Sequence, residues 1–182
     1  STMNGGFGLG QNDWVNVGND IHLNLNGKKL TLLKSRINSG DQRCFIRVSH
    51  GSLTIEDSSG SGGEIIGLNQ VTRRYMQLID VLDGTKLTLN SGKLHLELNA
   101  DADANNATIE SDGTVEINGG TVALSCPGGW DERVHYVNNL DCALHSSGKA
   151  VINGGTFDGR VLLKAVAKDS GAADNVVNGG DF

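Results

Sequence analysis

The segment from position 130 to 136 holds the densest group of side chains that could bind a ligand. Two aromatic rings stand beside carboxylates, a guanidinium and an imidazole: Trp130, Asp131, Glu132, Arg133, His135 and Tyr136. A sugar presents an apolar ring face and a belt of hydroxyl groups, and such a set can contact both. The segment is thus a candidate carbohydrate site. The more ordinary alternative is that Trp130 and Tyr136 fold back and fill their own loop.

A smaller group of similar character lies about two coils earlier in the chain. Arg73, Arg74 and Tyr75 combine two cationic side chains with an aromatic ring. They could extend the same binding surface. Equally, the two arginines could be ordinary solvated charges.

The acidic segment at positions 99–106 is a candidate calcium loop. Oxygen-bearing side chains alternate there in the D-x-D-x-N order of such loops, at Asp101, Asp103 and Asn105. Asn106 replaces the expected glycine, Glu110 comes too early to close the site, and Asp112 is shorter than the usual glutamate. No helices flank the segment. Calcium is the only cofactor that the sequence suggests, and a solvated acidic loop is the alternative.

An internal repeat predicts the strands and turns that would position these groups. The phrases GTVEINGGTVAL from Gly113 and GKAVINGGTFDG from Gly148 are nearly identical, and looser copies start at Gly18, His50 and Gly84. Asn or Asp corners recur about every 30 residues, which is the length of one solenoid coil. These corners are Asn26, Asp57, Asn90, Asn118, Asn153 and Asn178.

Each repeat contains two short strands, and a third precedes it. The candidate third strands are Trp14–Val17, Cys44–Val48, Met76–Val81, Ala107–Glu110, Leu140–His145 and Val161–Ala165. Apolar residues alternate with period two, which excludes helices. The fold class is therefore all-β: a right-handed parallel β-helix of about six coils with three short strands each. A hairpin-rich sandwich explains single Asn-Gly turns but not their fixed order.

The repeat also predicts the core and the corners. Aliphatic side chains should stack inward at Leu23, Leu25, Leu53, Ile55, Leu87, Leu89, Val115, Ile117 and Val151. Such stacks explain how a core forms with only 4% aromatic residues. Asn tolerates the left-handed backbone conformation, so the Asn corners should adopt it and hydrogen-bond from coil to coil.

Long connections follow the last strand of four coils. They span Leu33–Arg43, Leu68–Tyr75, Asn99–Asn106 and Ser125–Asn139. Because successive coils lie about 4.8 Å apart, these loops should form one continuous ledge. A ledge of this kind is often the binding face of a solenoid.

Composition narrows the classes of partner. The 182 residues carry a formal net charge of −6, which argues against nucleic acid as a partner, and no apolar run is long enough for membrane insertion.

We expect residues 1–182 to form a single β-helix domain. The chain stops within a coil and its start offers no cap. It is therefore expected to be a piece of a longer protein, or to self-associate through its uncapped ends. Three cysteines leave either buried thiols or a Cys126–Cys142 bridge.

The phrases LNLNGKKLTLL, GSLTIEDSSGSGGEIIG and INGGTV/INGGTF resemble pectin-lyase-like β-helix segments of large bacterial surface proteins of the adhesin type. The resemblance runs from about Gly18 to the C-terminus. It implies a secreted or cell-surface location. It also implies a non-catalytic role, in which the loop ledge binds glycan or a host surface.

A polysaccharide lyase or glycoside hydrolase of the same fold is the first alternative. The candidate carboxylate pairs are Asp80 with Asp83 and Asp131 with Glu132, and neither matches the motifs of polygalacturonase-like enzymes. Arg47 beside Asp80 is a further lyase candidate. No Ser-His-Asp spacing is visible, and His22 and His95 are expected to be outward and solvated. The second alternative is a rigid structural stalk.

Overall fold

The computed structural model describes residues 6–8, 14–34, 43–71, 75–99, 105–127, 141–164 and 175–182. These ranges hold 18 β-strands and no helix. Sheet A consists of β1 (Gly6–Gly8), β4 (Lys29–Lys34), β7 (Glu64–Asn69), β10 (Lys93–Glu97), β13 (Thr121–Ser125) and β16 (Thr156–Asp158). Sheet B consists of β2 (Val15–Val17), β5 (Cys44–Val48), β8 (Gln77–Val81), β11 (Ala107–Ser111), β14 (Cys142–Ser146) and β17 (Val161–Leu163). Sheet C consists of β3 (Ile21–Asn24), β6 (Ser52–Glu56), β9 (Lys86–Leu89), β12 (Thr114–Ile117), β15 (Lys149–Ile152) and β18 (Val176–Val177).

The strands stack as a parallel β-solenoid, which confirms the predicted fold class. Every strand pairs in parallel with the strand three places along the chain, so one coil visits sheet B, then C, then A. The predicted strand Cys44–Val48 is reproduced residue for residue. The end strands β1, β2 and β16 to β18 have only two or three residues. The solenoid therefore has about four turns, where about six coils were expected.

Aliphatic stacks fill the interior, as the repeat predicts. In sheet C, Leu53 stands in register with Leu87, and Leu87 with Val115; all three are buried. The prediction for Val151 is wrong. Its register partner is Glu116 on the outer face, while Ala150 and Ile152 fill the interior of β15.

The Asn corners form the predicted ladder between coils. The Asn118 side-chain amide donates to Asn90 Oδ1 at 2.9 Å, Asn153 donates to Asn118 at 2.7 Å, and Asn178 donates to Asn153 at 2.7 Å. The left-handed conformation lies elsewhere, however. In this ladder it falls on the glycine two residues after each Asn, for example at Gly120 with a φ of 84°. Among the corner asparagines only Asn26, with a φ of 46°, is left-handed.

The long connections leave the solenoid at one corner. The four predicted segments all join a strand of sheet A to the next strand of sheet B. A further connection was not predicted: residues 164–175 join β17 to β18, at the corner between sheets B and C.

Three remaining features bear on the predictions. Cys126 and Cys142 are thiols rather than a disulfide, and Cys126 is half-buried instead of buried. Burial raises the pKa of Cys44 and of Cys142 to about 11. Over the described ranges, the chain contains no helix able to cross a membrane.

Candidate functional site

Most of the predicted ligand residues lie outside the described residues. This applies to Trp130, Asp131, Glu132, Arg133, His135 and Tyr136, to Arg73 and Arg74, and to Asp101 and Asp103. Tyr75 and Asn105 are described. Tyr75 is half-buried, and the guanidinium of Arg43 lies 3.9 Å from its ring centroid. Asn105 is exposed, with a left-handed φ of 74°. In the part of the chain that the structure describes, no three His, Cys, Asp or Glu side chains group as a metal site.

The outer face of sheet B carries a row of ionisable side chains that the sequence interpretation did not assemble. Arg47, Asp80, Glu110 and His145 come from β5, β8, β11 and β14 and stand in register with one another. We call these four residues the charged row. Adjacent strands lie about 4.8 Å apart, so each side chain is within reach of the next. The order of charge is positive, negative, negative and then the titratable imidazole.

Arg47 and Asp80 form the first pair of the charged row. The Nε and Nη2 atoms of Arg47 both lie 2.8 Å from Asp80 Oδ2. The guanidinium also lies 5.0 Å from the ring centroid of Trp14, a cation–π contact. Burial raises the pKa of Asp80 although Arg47 opposes the shift. The contact between Arg47 and Asp80, one of the lyase possibilities, is therefore present.

Glu110 and His145 form the second pair. The imidazole Nδ1 lies 2.7 Å from one carboxylate oxygen and 2.8 Å from the other. Burial raises the pKa of Glu110, while contact with His145 works in the opposite direction. His145 is only 8% exposed, and its Nε2 atom has no hydrogen-bond partner among the described residues. A buried polar atom without a partner is unfavourable, so a ligand hydroxyl that reached Nε2 would gain a hydrogen bond.

The two outward histidines of the sequence interpretation have different outcomes. His22 is solvated as predicted, since 60% of its side chain is exposed, although it lies 3.3 Å from Glu56. His95 points outward as predicted, but the prediction that it is solvated is wrong. Only 14% of its side chain is exposed, and its two ring nitrogens contact Glu64 and Ser125. The in-register neighbours of sheet A bury this side chain laterally even though it points outward.

A signal for the charged row was present in the sequence. Its four members occupy the same place in successive repeats, as the fourth residue of each sheet B strand. Aligning the third strands of the repeats with one another, rather than only the Asn corners, would have placed them in one line. The spacing alone could not show that Glu110 and His145 contact each other.

The chain matches no protein-family model, and neither a curated protein nor a solved structure matches it.

Proposed function

We propose that this β-helix is a non-catalytic glycan-binding module, displayed on a bacterial cell surface or secreted, and that the charged row is its recognition face. The observation that carries the proposal is the buried His145 Nε2 atom, which lacks a partner among the described residues at the end of a half-buried row of polar groups. A glycan of a host or cell surface is the proposed partner.

The chemistry of the charged row suits sugar hydroxyls. A hydroxyl both donates and accepts hydrogen bonds, so it can donate to the carboxylates of Asp80 and Glu110 and accept from Arg47. Because these side chains are partly desolvated, such bonds are stronger than those on an open surface. Trp14, beside Arg47, adds an aromatic surface for the apolar face of a ring.

The loop ledge is proposed as the second part of the site. All four long connections end at a strand of sheet B, the sheet that carries the charged row. Trp130, Tyr136 and the polar residues between them would then contribute further contacts. The proposed surface location rests on the resemblance of the repeat phrases to bacterial adhesin-type segments.

A glycan array, with matched variants, tests the proposal. His145→Gln removes the imidazole, and we expect about tenfold weaker binding of any glycan that the wild-type chain retains, the value of one good hydrogen bond. His22→Gln removes an exposed imidazole that also lies beside a glutamate, and it should bind like wild type. Trp130→Ala reports on the loop separately. A folded wild-type chain that retains no glycan contradicts the proposal.

A polysaccharide hydrolase is the second candidate, because Asp80 and Glu110 are adjacent. Retaining glycosidases hold two carboxyl groups about 5–5.5 Å apart, one with a raised pKa as general acid. Neighbouring positions on parallel strands give a similar spacing, and the pKa values of both groups are raised.

The same polysaccharides would reveal this activity as new reducing ends. Loss of cleavage in both Asp80→Asn and Glu110→Gln, with cleavage intact in Asp83→Asn, would establish the hydrolase. Binding without cleavage supports the non-catalytic module.

A further inference from the structure

We propose that Ser125, His95 and Glu64 form a nucleophilic site on the outer face of sheet A, with Ser125 as an acyl-accepting nucleophile toward small acyl esters. This site is distinct from the charged row, which lies on sheet B and is proposed to bind glycan without catalysis, and the proposal does not depend on glycan binding.

The three side chains form a continuous relay across three strands. His95 Nε2 lies 2.7 Å from Ser125 Oγ, and His95 Nδ1 lies 3.3 Å from Glu64 Oε1. They come from β13, β10 and β7, and each contact runs diagonally between neighbouring strands. A nucleophile, a base and a group that orients the base define this class of site by geometry, whatever their order in the sequence.

Two lysines hold the Glu64 carboxylate in its ionised form. Lys29 Nζ lies 2.8 Å from Oε2, and Lys93 Nζ lies 3.6 Å from Oε1. Burial would raise the pKa of Glu64, but the contacts with Lys29 and Lys93 outweigh it and the pKa is lowered. A charged carboxylate can only accept hydrogen bonds.

This protonation state fixes the direction of the relay. The proton of a neutral His95 must be on Nδ1, because the Glu64 carboxylate has none to donate. Nε2 is then an acceptor, and the hydrogen bond at 2.7 Å is donated by the Ser125 hydroxyl. This is the tautomer in which the imidazole can act as general base for the serine.

The reaction follows from that arrangement. Ser125 Oγ attacks the carbonyl carbon of an ester while its proton moves to His95 Nε2. The C–O bond to the alcohol breaks, His95 returns the proton to the leaving oxygen, and an acyl-serine remains. Water then attacks the acyl-serine and gives a proton to His95. That proton returns to Ser125 as the carboxylic acid leaves. Ester and water become acid and alcohol, and no other reactant is consumed.

Ser125 is partly exposed at the end of its strand. It is the last residue of β13, directly before the longest connection of the A-to-B corner. Ser49 provides an internal comparison: its Oγ lies 3.4 Å from His50 Nδ1, with no carboxylate contact to that imidazole among the described residues.

A fluorophosphonate probe, which phosphonylates activated serines, tests the assignment, with the adduct located by peptide mass spectrometry. We expect one adduct, on Ser125, and none in Ser125→Ala. His95→Gln should lower the labelling rate at least 100-fold, the lower range for a general base. Ser49→Ala should label like wild type. Hydrolysis of p-nitrophenyl acetate should follow the same pattern.

Glu64 acts through His95, so its role needs a different measurement. In Glu64→Gln we expect slower labelling of Ser125, because the amide can donate to Nδ1 and so favour the wrong tautomer of the imidazole. Glu64→Asp keeps the carboxylate and should restore most of the labelling rate. Glu97→Gln makes the same charge change on the strand of His95 and should label like wild type.

The wild-type protein alone can overturn the proposal, whatever the stability of the variants. It is overturned by a folded wild-type chain without an adduct on Ser125, or by equal labelling of Ser49. Undiminished labelling of a folded His95→Gln variant also contradicts it.

Discussion

Asp57 is the residue whose contacts most directly explain a corner of the solenoid. Its carboxylate accepts hydrogen bonds from the backbone N–H groups of Gly27, Gly62 and Gly63, and from both the N–H and the hydroxyl of Ser59. The bond from Gly27 crosses to the preceding coil. One side chain thus closes its own wide turn and joins two coils.

Replacing Asp57 by Asn tests this role. The amide presents an NH₂ group to donors that need an acceptor, so we expect a melting temperature at pH 7 lower by at least about 2 °C. Hydrogen bonding, led by Gly63, holds the pKa of the Asp57 carboxyl well below its ordinary value of 3.8. The stabilisation is therefore present above that value and is lost as the pH falls through the lowered pKa.

The melting-temperature difference between wild type and Asp57→Asn should accordingly narrow in acid. Asp83→Asn, at an exposed position in another turn, is the control and should melt with the wild type. A difference that stays constant from pH 7 to pH 3 would show that the charge of Asp57 contributes nothing.

At the residue scale, the sequence predicted the Asn ladder but not the relay of Glu64, His95 and Ser125. The Asn ladder follows from a repeated corner. Glu64, His95 and Ser125 are 31 and 30 residues apart, and each lies at a different place in its strand. Only the parallel register brings them onto one diagonal, so a search for short catalytic motifs could not find them.

In strand β15 the alternation of apolar residues does not determine which side chains point into the core. Its residues include three consecutive apolar side chains, Ala150, Val151 and Ile152, so alternation fits either face. The register with β12 decides, because Val151 pairs with Glu116 and Ile152 with Ile117. Strands β3, β6, β9 and β12 of sheet C alternate apolar with polar residues, and their inward positions were correctly predicted.

The register of β15 predicts a large loss of stability for one truncation and a small loss for its neighbour. Ile152→Ala removes a fully buried side chain and should lower the free energy of unfolding by about 2–5 kcal/mol. Val151→Ala lies on the half-buried outer face and should cost less than about 1 kcal/mol. Chemical denaturation of both variants measures the difference. Equal losses, or a larger loss for Val151→Ala, would mean that the strand is turned over.

At the scale of the whole molecule, each coil is stabilised by the coils next to it in the stack. Each strand within a sheet pairs only with the strands of the coils before and after it. The sequence predicted this architecture well, because the architecture depends on a repeat that recurs in every coil. It could not predict the number of full turns, because short end strands keep the repeat phrases without full pairing. The connection at 164–175 was also missed, since it interrupts the repeat at a different corner.

Stacking of this kind predicts which pairs of mutations interact. Leu53→Ala and Leu87→Ala remove buried side chains that stand in register in neighbouring coils of one core cluster, so their effects on the free energy of unfolding should differ from additivity by about 0.5–3 kcal/mol. Leu53 and Ile152 lie three coils apart in sheet C, about 14 Å at the spacing of paired strands, and their effects should add within about 0.5 kcal/mol. Denaturant unfolding of the single and double variants, followed by two spectroscopic probes, completes both cycles. If the distant pair couples as strongly as the near one, coupling is not confined to neighbouring coils, and the description of the stack as a chain of neighbour contacts is wrong.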